Sequence, residues 1–543
     1  MSNRLPGLSS LGYGFNIDGR FSDQSKLFQL FQVEEGEAAT FSYTYPNGPT
    51  VEYTYPSNVD VTQINNFDGS SQIFAGREQF SQHFEAEANM NLKVGDRLVG
   101  FTGQFGASYS NTQSSDSEYW FGLYQDNAWL WEVDLPSPGP ANLLQSVLDD
   151  PVYQNVPDEW IEGDLENNAL FYRFFAKYGT YFIRSVTTGG RLYYNVIVER
   201  SAYSSTSEMS AQLDAEFKAY FVKTGAQAQA QWEQVSDQWM ASRQVQMEVL
   251  GGTPEILQAL TAPSRGENFN SVYKGWLDSL PIHPANVSFK LAPVSVAFEG
   301  AREAAVAKAM TVYLQSSVMV ESRYQDTTIF VDGSYAQPSN GAPRAKYSGF
   351  QAAVVDEHMN VQLSKIYQAP WEEIASEYAV LYNQLLADLE PYQTSDYVIG
   401  FGTFGLQSLF FPPFELVQLL KSLGAGSGLM NWEGYANSGF YASELTQCNY
   451  ALVGVPGSGQ FSGFERFAVS HNVNTSSMTP GGFDGTSSFR TPASSVAVLA
   501  RVHRELGFGP GTTTMALGPQ SVWSSAEPSA ETAPKPAAEL VGA

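Results

Sequence analysis

Between Phe84 and Val94 the chain alternates without a fault: Phe84, Ala86, Ala88, Met90, Leu92 and Val94 are apolar, and Glu85, Glu87, Asn89, Asn91 and Lys93 between them are polar. A second alternation begins at Met209, with Ala211, Leu213, Ala215, Phe217 and Ala219 on one side and Ser210, Gln212, Asp214, Glu216 and Lys218 on the other. It starts afresh after Gly225 as Ala226, Ala228, Ala230 and Trp232 against Gln227, Gln229, Gln231 and Glu233. A period of two is the pattern of a strand with one buried face. Yet Ala, Gln, Glu and Lys form helices more readily than strands. Met209, Leu213, Phe217 and Phe221 also fall at i, i+4, i+8 and i+12, one apolar stripe of a helix. The second segment therefore satisfies both periods at once.

Two readings follow. Half-buried strands of an ordinary antiparallel sheet show the same alternation. Alternatively, the segments pack as helices in one state and cross a bilayer as strands in another. Eleven strand residues rise roughly 36 Å and, tilted by about 40°, cover about 28 Å, close to the hydrocarbon thickness of a membrane. On that reading Phe84, Ala86, Ala88, Met90, Leu92, Met209, Ala211, Leu213, Ala215, Phe217 and Ala219 face lipid, and Glu85, Glu87, Asp214 and Glu216 line a lumen. Backbone groups must all be paired inside lipid, so two hairpins from one chain have to close into a barrel with those of other copies.

The stretch between the segments is punctuated by glycine. DLENNALFYRFFAKYG predicts a helix with Leu165, Leu170, Phe171, Phe174 and Phe175 near one face, stopped by Gly179. Tyr181-Phe182-Ile183 and RLYYNVIVER read as strand on either side of Gly189-Gly190, and Arg243 to Leu250 reads as strand into Gly251-Gly252. Glycines in a strand mark a bulge, a bend or a close backbone approach. A bend built from them straightens at small steric cost. The first 75 residues read as aromatic strands separated by Asn-Gly and Pro turns.

Composition narrows the function. The chain has 543 residues, enough for two to four domains. Its net charge of −27 argues against nucleic acid and against docking on anionic lipid through a basic patch. The single cysteine, Cys448, excludes an intramolecular disulfide framework. No secretory signal opens the sequence, and no run of 18 apolar residues predicts a membrane-spanning helix. A soluble protein, released without a classical signal, is expected. GVPGSGQFSG (Gly454 to Gly463) lacks the Lys-Ser/Thr ending of a phosphate loop. His83, His283, His358, His471 and His503 show no zinc spacing, and VDGS and FDGTSS read as turns before calcium sites. No catalytic constellation, metal site or cofactor is expected.

Tyr178-Gly179-Thr180-Tyr181-Phe182-Ile183 followed by Thr187-Thr188-Gly189-Gly190 resembles the signature of the membrane attack complex/perforin superfamily, which includes the cholesterol-dependent cytolysin fold. The family usually has histidine where this chain has Tyr181. The likeness runs from Leu5 to Glu321 and takes in LGYGFNIDGRFS, MEVLGGTPE and GWLDSLPIHPANVSF ahead of a helix EAAVAKAMTVYLQ. It implies an α+β fold: a bent, twisted four-stranded antiparallel sheet flanked by two helical clusters. The clusters unfurl into transmembrane hairpins after monomers assemble into a ring. By position they are residues 81–130 and 203–242, within a pore-forming domain 1–325. Tyr178, Gly179, Thr180, Gly189, Gly190, Gly251 and Gly252 form the signature and hinge.

Downstream, SGFQAAVVDEHMNVQLSKIY, a helix near Trp371 to Leu389, DYVIGFGTFG, FELVQLLKSLGA and NYALVGVPGSGQFSGFE resemble, in that order, the interleukin-like epithelial-mesenchymal-transition-inducer domain. This implies a linker at 326–345 and an α/β targeting domain at 346–510; the Ala-, Pro- and Glu-rich stretch from Ser524 reads as disordered, and a disordered tail is expected at 511–543. The resulting expectation is a pore-forming toxin whose partners are a target membrane, a glycan or protein receptor on it, and further copies of itself. A bacterial insecticidal toxin is one home for this architecture. The alternative is a non-lytic adhesion or signalling protein of the same fold.

Overall fold

The computed structural model describes residues 3–33, 37–44, 50–90, 101, 104–105, 108–109, 119–203, 205–260, 269–323, 326–344, 347–370, 375–407, 410–437, 446–471, 496–506 and 513–524. The first half of the chain is an α+β unit built on an antiparallel sheet of four lanes. β1 (Asp60–Phe74) forms one edge and pairs with β2 (Tyr119–Asp134), which pairs with β3 (Tyr181–Glu199). Two strands share the fourth lane. β4 (Gln244–Leu250) runs beside Arg191 to Ile197 of β3, and β5 (Ala285–Pro293) runs beside Tyr181 to Gly189. The short strands Tyr13–Phe15 and Lys26–Gln29 complete a seven-stranded sheet at the lower end of β3.

Every lane is interrupted at one level. β1 shifts register between Gln63 and Asn66, β2 between Trp129 and Trp131, β3 has Gly189-Gly190, and the fourth lane passes from Leu250 to Ala285. These irregularities line up because Gln63 pairs with Trp131 and Trp129 pairs with Gly189. An extra residue in β1 relative to β2, and in β2 relative to β3, at the level of Gly189 in β3 bends the sheet there. Trp131, fully buried, anchors the bend under Phe41, Tyr43 and Tyr53, which belong to a small sheet of Asn3–Arg4, Ala38–Thr44 and Thr50–Pro56.

Side chains alternate across β3. Tyr193 meets Phe84 of α1 (Arg77–Glu87) on one face, and Tyr194 meets Phe217 of α3 (Thr206–Phe217) on the other. At the lower end, α2 (Leu165–Tyr178) begins where Asp164 accepts the N–H groups of Glu166 and Asn167 and ends at Gly179, whose φ of 79° admits no ordinary side chain. Phe171, Phe174 and Phe175 of α2 are fully buried, and Tyr172 and Phe175 pack on Tyr313 of α7 (Gly300–Gln315).

The second half is a layered α/β unit. A six-stranded sheet carries Ala375–Leu389, Phe414–Ser422 and Ser427–Asn437 on one face, with Phe350, Ala352, Val354, Phe401 and Leu452 beneath them. Its other face (Ala353, Val355, Ala451, Val453) packs on Val318, Val320, Ile329, Val498 and Ala500 of a five-stranded sheet. That sheet joins Ser317–Ser322, which directly follows α7, to Thr327–Val331, Ser334–Tyr335, Val496–Leu506 and Thr513–Ser524. Its far face turns toward the first half, where Arg501 is buried against Asp18, with Nε 2.8 Å from Oδ2.

Three expected boundaries are corrected. Residues 327–331 and 334–335 are strands, so 326–345 is not a linker; Asp332-Gly333 turns one strand onto the next. Residues 513–524 pair along the whole of Val496–Leu506, so the tail expected from 511 does not hold there; residues 525–543 lie outside the described residues. Residues 119–130 belong to β2, so the first helical region, expected to reach 130, stops short of Tyr119.

Removing one partner of a buried ion pair costs about 3–5 kcal/mol. Asp18→Ala takes the carboxylate from Arg501, and denaturant unfolding is expected to show a loss of that order. A loss below about 1 kcal/mol would mean that the pair does not hold the two halves together.

Candidate functional site: two hairpin insertions around a sheet bend

Each segment singled out by its periodicity is an insertion between neighbouring antiparallel strands. Residues 75–118 connect β1 to β2, and residues 200–243 connect β3 to β4; the two insertions are equal in length. If either straightens, it lengthens the two strands that it joins, and the ladder simply continues. Each arm of such a hairpin exceeds the 9–11 residues that a tilted strand needs to span a bilayer.

In this structure both insertions are helical where they are described. The second folds as α3, a π turn Lys218–Val222, α4 (Gly225–Trp232) and α5 (Asp237–Ser242). Of its two periods the helical one decides burial. Met209, Leu213, Phe217 and Phe221 are all fully buried, and Phe217 stacks on Tyr124 with ring centroids 3.8 Å apart. Ala215 and Ala219 are buried as well, but Ala211 is exposed. In the first insertion Phe84, Ala88 and Met90 are buried in or just beyond α1, and Ala86 is exposed. Leu92 lies outside the described residues.

The four acids expected to line a lumen are treated differently here. Glu216 is fully buried, accepting from Trp239 Nε1 at 2.6 Å and from Arg243 Nε at 2.6 Å. Glu87 pairs with Arg191 of β3 at 2.6 Å and accepts from Ser288 of β5 at 2.8 Å. Asp214 makes a half-exposed pair with Lys218, and Glu85 is half-buried on α1. Glu87 thus holds the first insertion to a buried arginine of β3, and Glu216 ties α3 to the half-buried Arg243 at the end of the second insertion. A third arginine marks where the ladder stops. Arg200, just past β3, donates through Nε to the carbonyl of Tyr119 at 2.9 Å and through Nη2 to that of Ala75, and lies 4.5 Å over Trp120. It therefore satisfies the carbonyls at the roots of the first insertion from the root of the second.

The bend is clamped from the α3 side. α6 (Asn270–Ser279) lies in the connection between β4 and β5, and Trp276 Nε1 donates to Gly251 O at 2.9 Å. A Cβ on Gly190 would sit 2.4 Å from Leu280 and 2.7 Å from Trp276, and one on Gly189 would sit 2.1 Å from the carbonyl oxygen of Ala128. Gly251 and Gly252, at φ 77° and 96°, turn the chain away from β3. Both glycine pairs thus have a static reason to be glycine, namely close packing in the bent form. In the signature, Tyr178 hydrogen-bonds Asp150, Thr180 O accepts from Val294 N at 3.0 Å, and Tyr181 is buried opposite Pro293. Tyr273 of α6 donates to Asp126 of β2, whose neighbours also include Asp68 and Tyr124. Burial pushes the Asp126 carboxyl up to about 6, the Tyr273 bond opposes that, and Asp68 adds to it.

Periodicity found the insertions but not the arginines. The one available signal was Arg191, a charge directly after the double glycine inside β3. Among the described residues, no helix is long and apolar enough to cross a membrane, and no group of His, Cys, Asp and Glu side chains is arranged to hold a metal ion.

A family model described as the MAC/Perforin domain matches residues 6–323. No curated protein matches the chain. Among solved structures, the chain is similar to GNIP1Aa from Chromobacterium piscinae at 17% identity, covering 92% of this chain and 89% of that one, with a TM-score of 0.44. It is also similar to a putative cell invasion protein with a MAC/Perforin domain from Bacteroides thetaiotaomicron, at 10% identity, 72% and 80% coverage and a TM-score of 0.35. The cytotoxin suilysin from Streptococcus suis follows at 8% identity, 64% and 67% coverage and a TM-score of 0.28.

A carboxyl whose pKa the fold raises favours the folded state while protonated, and that contribution is lost as pH climbs from the ordinary carboxylate range through about 6. Asp126→Asn keeps an acceptor for Tyr273 and removes the charge. It is expected to raise stability near neutral pH by about 1–3 kcal/mol and to have little effect at about pH 4. Denaturation midpoints at the two pH values check this. An equal effect at both would show that the charge is not the cause.

Proposed function

This chain belongs to the MAC/Perforin domain family, and from that premise we propose that it is a pore-forming protein whose two insertions, 75–118 and 200–243, leave the sheet faces and become membrane-crossing β-hairpins. The observation that carries this reading is positional: each insertion joins two neighbouring antiparallel strands and keeps a period-two alternation that its helical form does not use. Phe84, Met90, Met209, Leu213 and Phe217 exchange the sheet for lipid. Glu87 and Glu216 exchange their arginines for a water-filled lumen. Backbone pairing in lipid requires several copies to close the barrel, so a ring of protomers precedes insertion.

In the same reading the sheet opens at the bend marked by Gly189-Gly190 and Gly251-Gly252 once α6 lifts from it. The second half docks the protein on its target. Its layered α/β order agrees with the interleukin-like inducer resemblance, which favours a glycan or protein receptor on the target surface. The protein acts by assembly and insertion, without a catalytic step.

A tether tests insertion directly. The hydroxyl oxygens of Ser71 in β1 and Ser210 in α3 lie 2.7 Å apart, which makes this pair the position for a cysteine tether between the sheet and the second insertion. The chain's own Cys448 is buried and does not compete. Oxidised Ser71→Cys/Ser210→Cys protein is expected to bind membranes but release no dye from loaded vesicles made with target-membrane extract. Reductant is expected to restore release, with ring-shaped oligomers visible by electron microscopy. Full lysis by the oxidised protein would sink the proposal that the second insertion unfurls.

A further inference from the structure

Arg77 is the first residue of α1, three positions after β1 ends at Phe74. A cation in the first turn of a helix opposes the helix dipole, so α1 itself has no use for it. The side chain reaches across to the outer face of the five-stranded sheet. There Nη1 lies 2.8 Å from Glu321 Oε1 and Nη2 lies 2.8 Å from Oε2, a two-point grip. The guanidinium is stacked between two rings, 4.8 Å from the centre of Phe105 in the first insertion and 4.6 Å from that of Phe330 in the sheet. Nη1 also reaches the sulfur of Met319 at 3.2 Å. Glu321 is 3% exposed and keeps a second cation, Arg323, and a hydroxyl donor, Thr328 at 3.2 Å. Burial pushes its carboxyl up, but Arg323 and Arg77 outweigh burial and bring it down to about 2. The pair therefore stays ionised through the range in which carboxylates ordinarily titrate, losing its charge only as pH falls through about 2.

We propose that the five-stranded sheet is an autoinhibitory latch on the first insertion, held by Arg77 between Glu321 and Phe330, and that the insertion stays helical until this sheet moves off α1. The geometry makes the two events exclusive. Residue 77 lies at the root of the insertion, so continuing β1 as a strand carries it out of the helix and away from Glu321. Glu321 is provided for in either state, because Arg323 and Thr328 stay with it on its own sheet. The contact is thus cheap to open from the sheet side and holds the insertion from the other. The consequence for lysis rests on the pore-forming reading; the latch itself does not, and it is tested in solution.

Hydrogen exchange of the intact protein without membranes is the measurement. Arg77→Ala removes the bridge, leaves Glu321 its other partners, and places a better helix former at the start of α1. If α1 stood on its own, its amides would exchange at the same rate or more slowly. The latch instead predicts at least ten-fold faster exchange over residues 77–90 with residues 496–506 unchanged. Glu321→Gln, on the other side, is expected to speed the same amides, and the double variant to be no faster than Arg77→Ala alone, since both remove one interaction. Unchanged or slower exchange over 77–90 in Arg77→Ala overturns the proposal. So does exchange that rises equally across 496–506, which would indicate general loosening. Should Glu321→Gln fail to fold, Arg77→Ala with its internal control still decides. On membranes the Arg77→Ala protein is expected to shorten the lag before dye release several-fold. Absence of release from the wild-type protein as well would count against the pore reading and leave the exchange result standing.

Discussion

An ionised carboxylate taken out of water costs several kcal/mol unless a cation and further donors meet it. Four acids here meet that requirement by reaching across the chain. Asp18 takes Arg501, Glu87 takes Arg191, Glu216 takes Arg243, and Glu321 takes Arg77 and Arg323. With 29 basic residues against 56 acidic ones, arginine is scarce, and these positions spend it where two structural pieces touch. Three of these acids join an element that the proposal sets in motion, or a whole half of the chain, to something outside it, whereas Glu216 and Arg243 pair within the second insertion, tying α3 to the residue next to β4. Hydrophobic contact supplies the bulk of cohesion, but it is non-directional. The ion pairs determine which surface lies on which.

On the proposed reading one sequence has to serve two forms. A lipid-facing strand needs apolar residues at every second position, while a helix on a sheet needs them at every third or fourth. Met209, Leu213 and Phe217 answer both demands; Ala211 answers only the first and is left exposed in the folded protein. Alanine at the positions that fit only one pattern keeps the mismatch small, since an exposed alanine costs little. The polar positions divide similarly. Glu216 is buried against Arg243, whereas Asp214, two residues away and on the same strand face, stays half in water.

Much of this was legible before any coordinates. The alternation located both insertions, DLENNALFYRFFAKYG located α2 with its glycine stop, and the glycine pairs located the bend. What was missed depended on partners distant in sequence. The first helical region was expected to reach residue 130 because aromatic residues on both faces of β2 hid where its pairing with β1 and β3 began. Residues 326–345 look like a linker because Asp332-Gly333 and the prolines after it are turn residues, yet Thr327–Val331 finds its place beside Ser317–Ser322. Thr513–Ser524 reads as polar and loose, and only its register with Val496–Leu506 makes it a strand. The value of Arg77 and Arg501 was invisible for the same reason, since their carboxylates lie 244 and 483 residues away.

That last separation bears on the order in which the molecule comes into being. Chains emerge from synthesis N-terminal end first, and early domains fold as they appear. The strand bearing Glu321 pairs on one side with Val496–Leu506, so the surface that grips Arg77 is incomplete until residues 496–506 have been made. The half that carries Arg77 is therefore made before the carboxylate that holds it. On the proposed reading, during that interval the alternating segment at 84–94 has no restraint from Glu321.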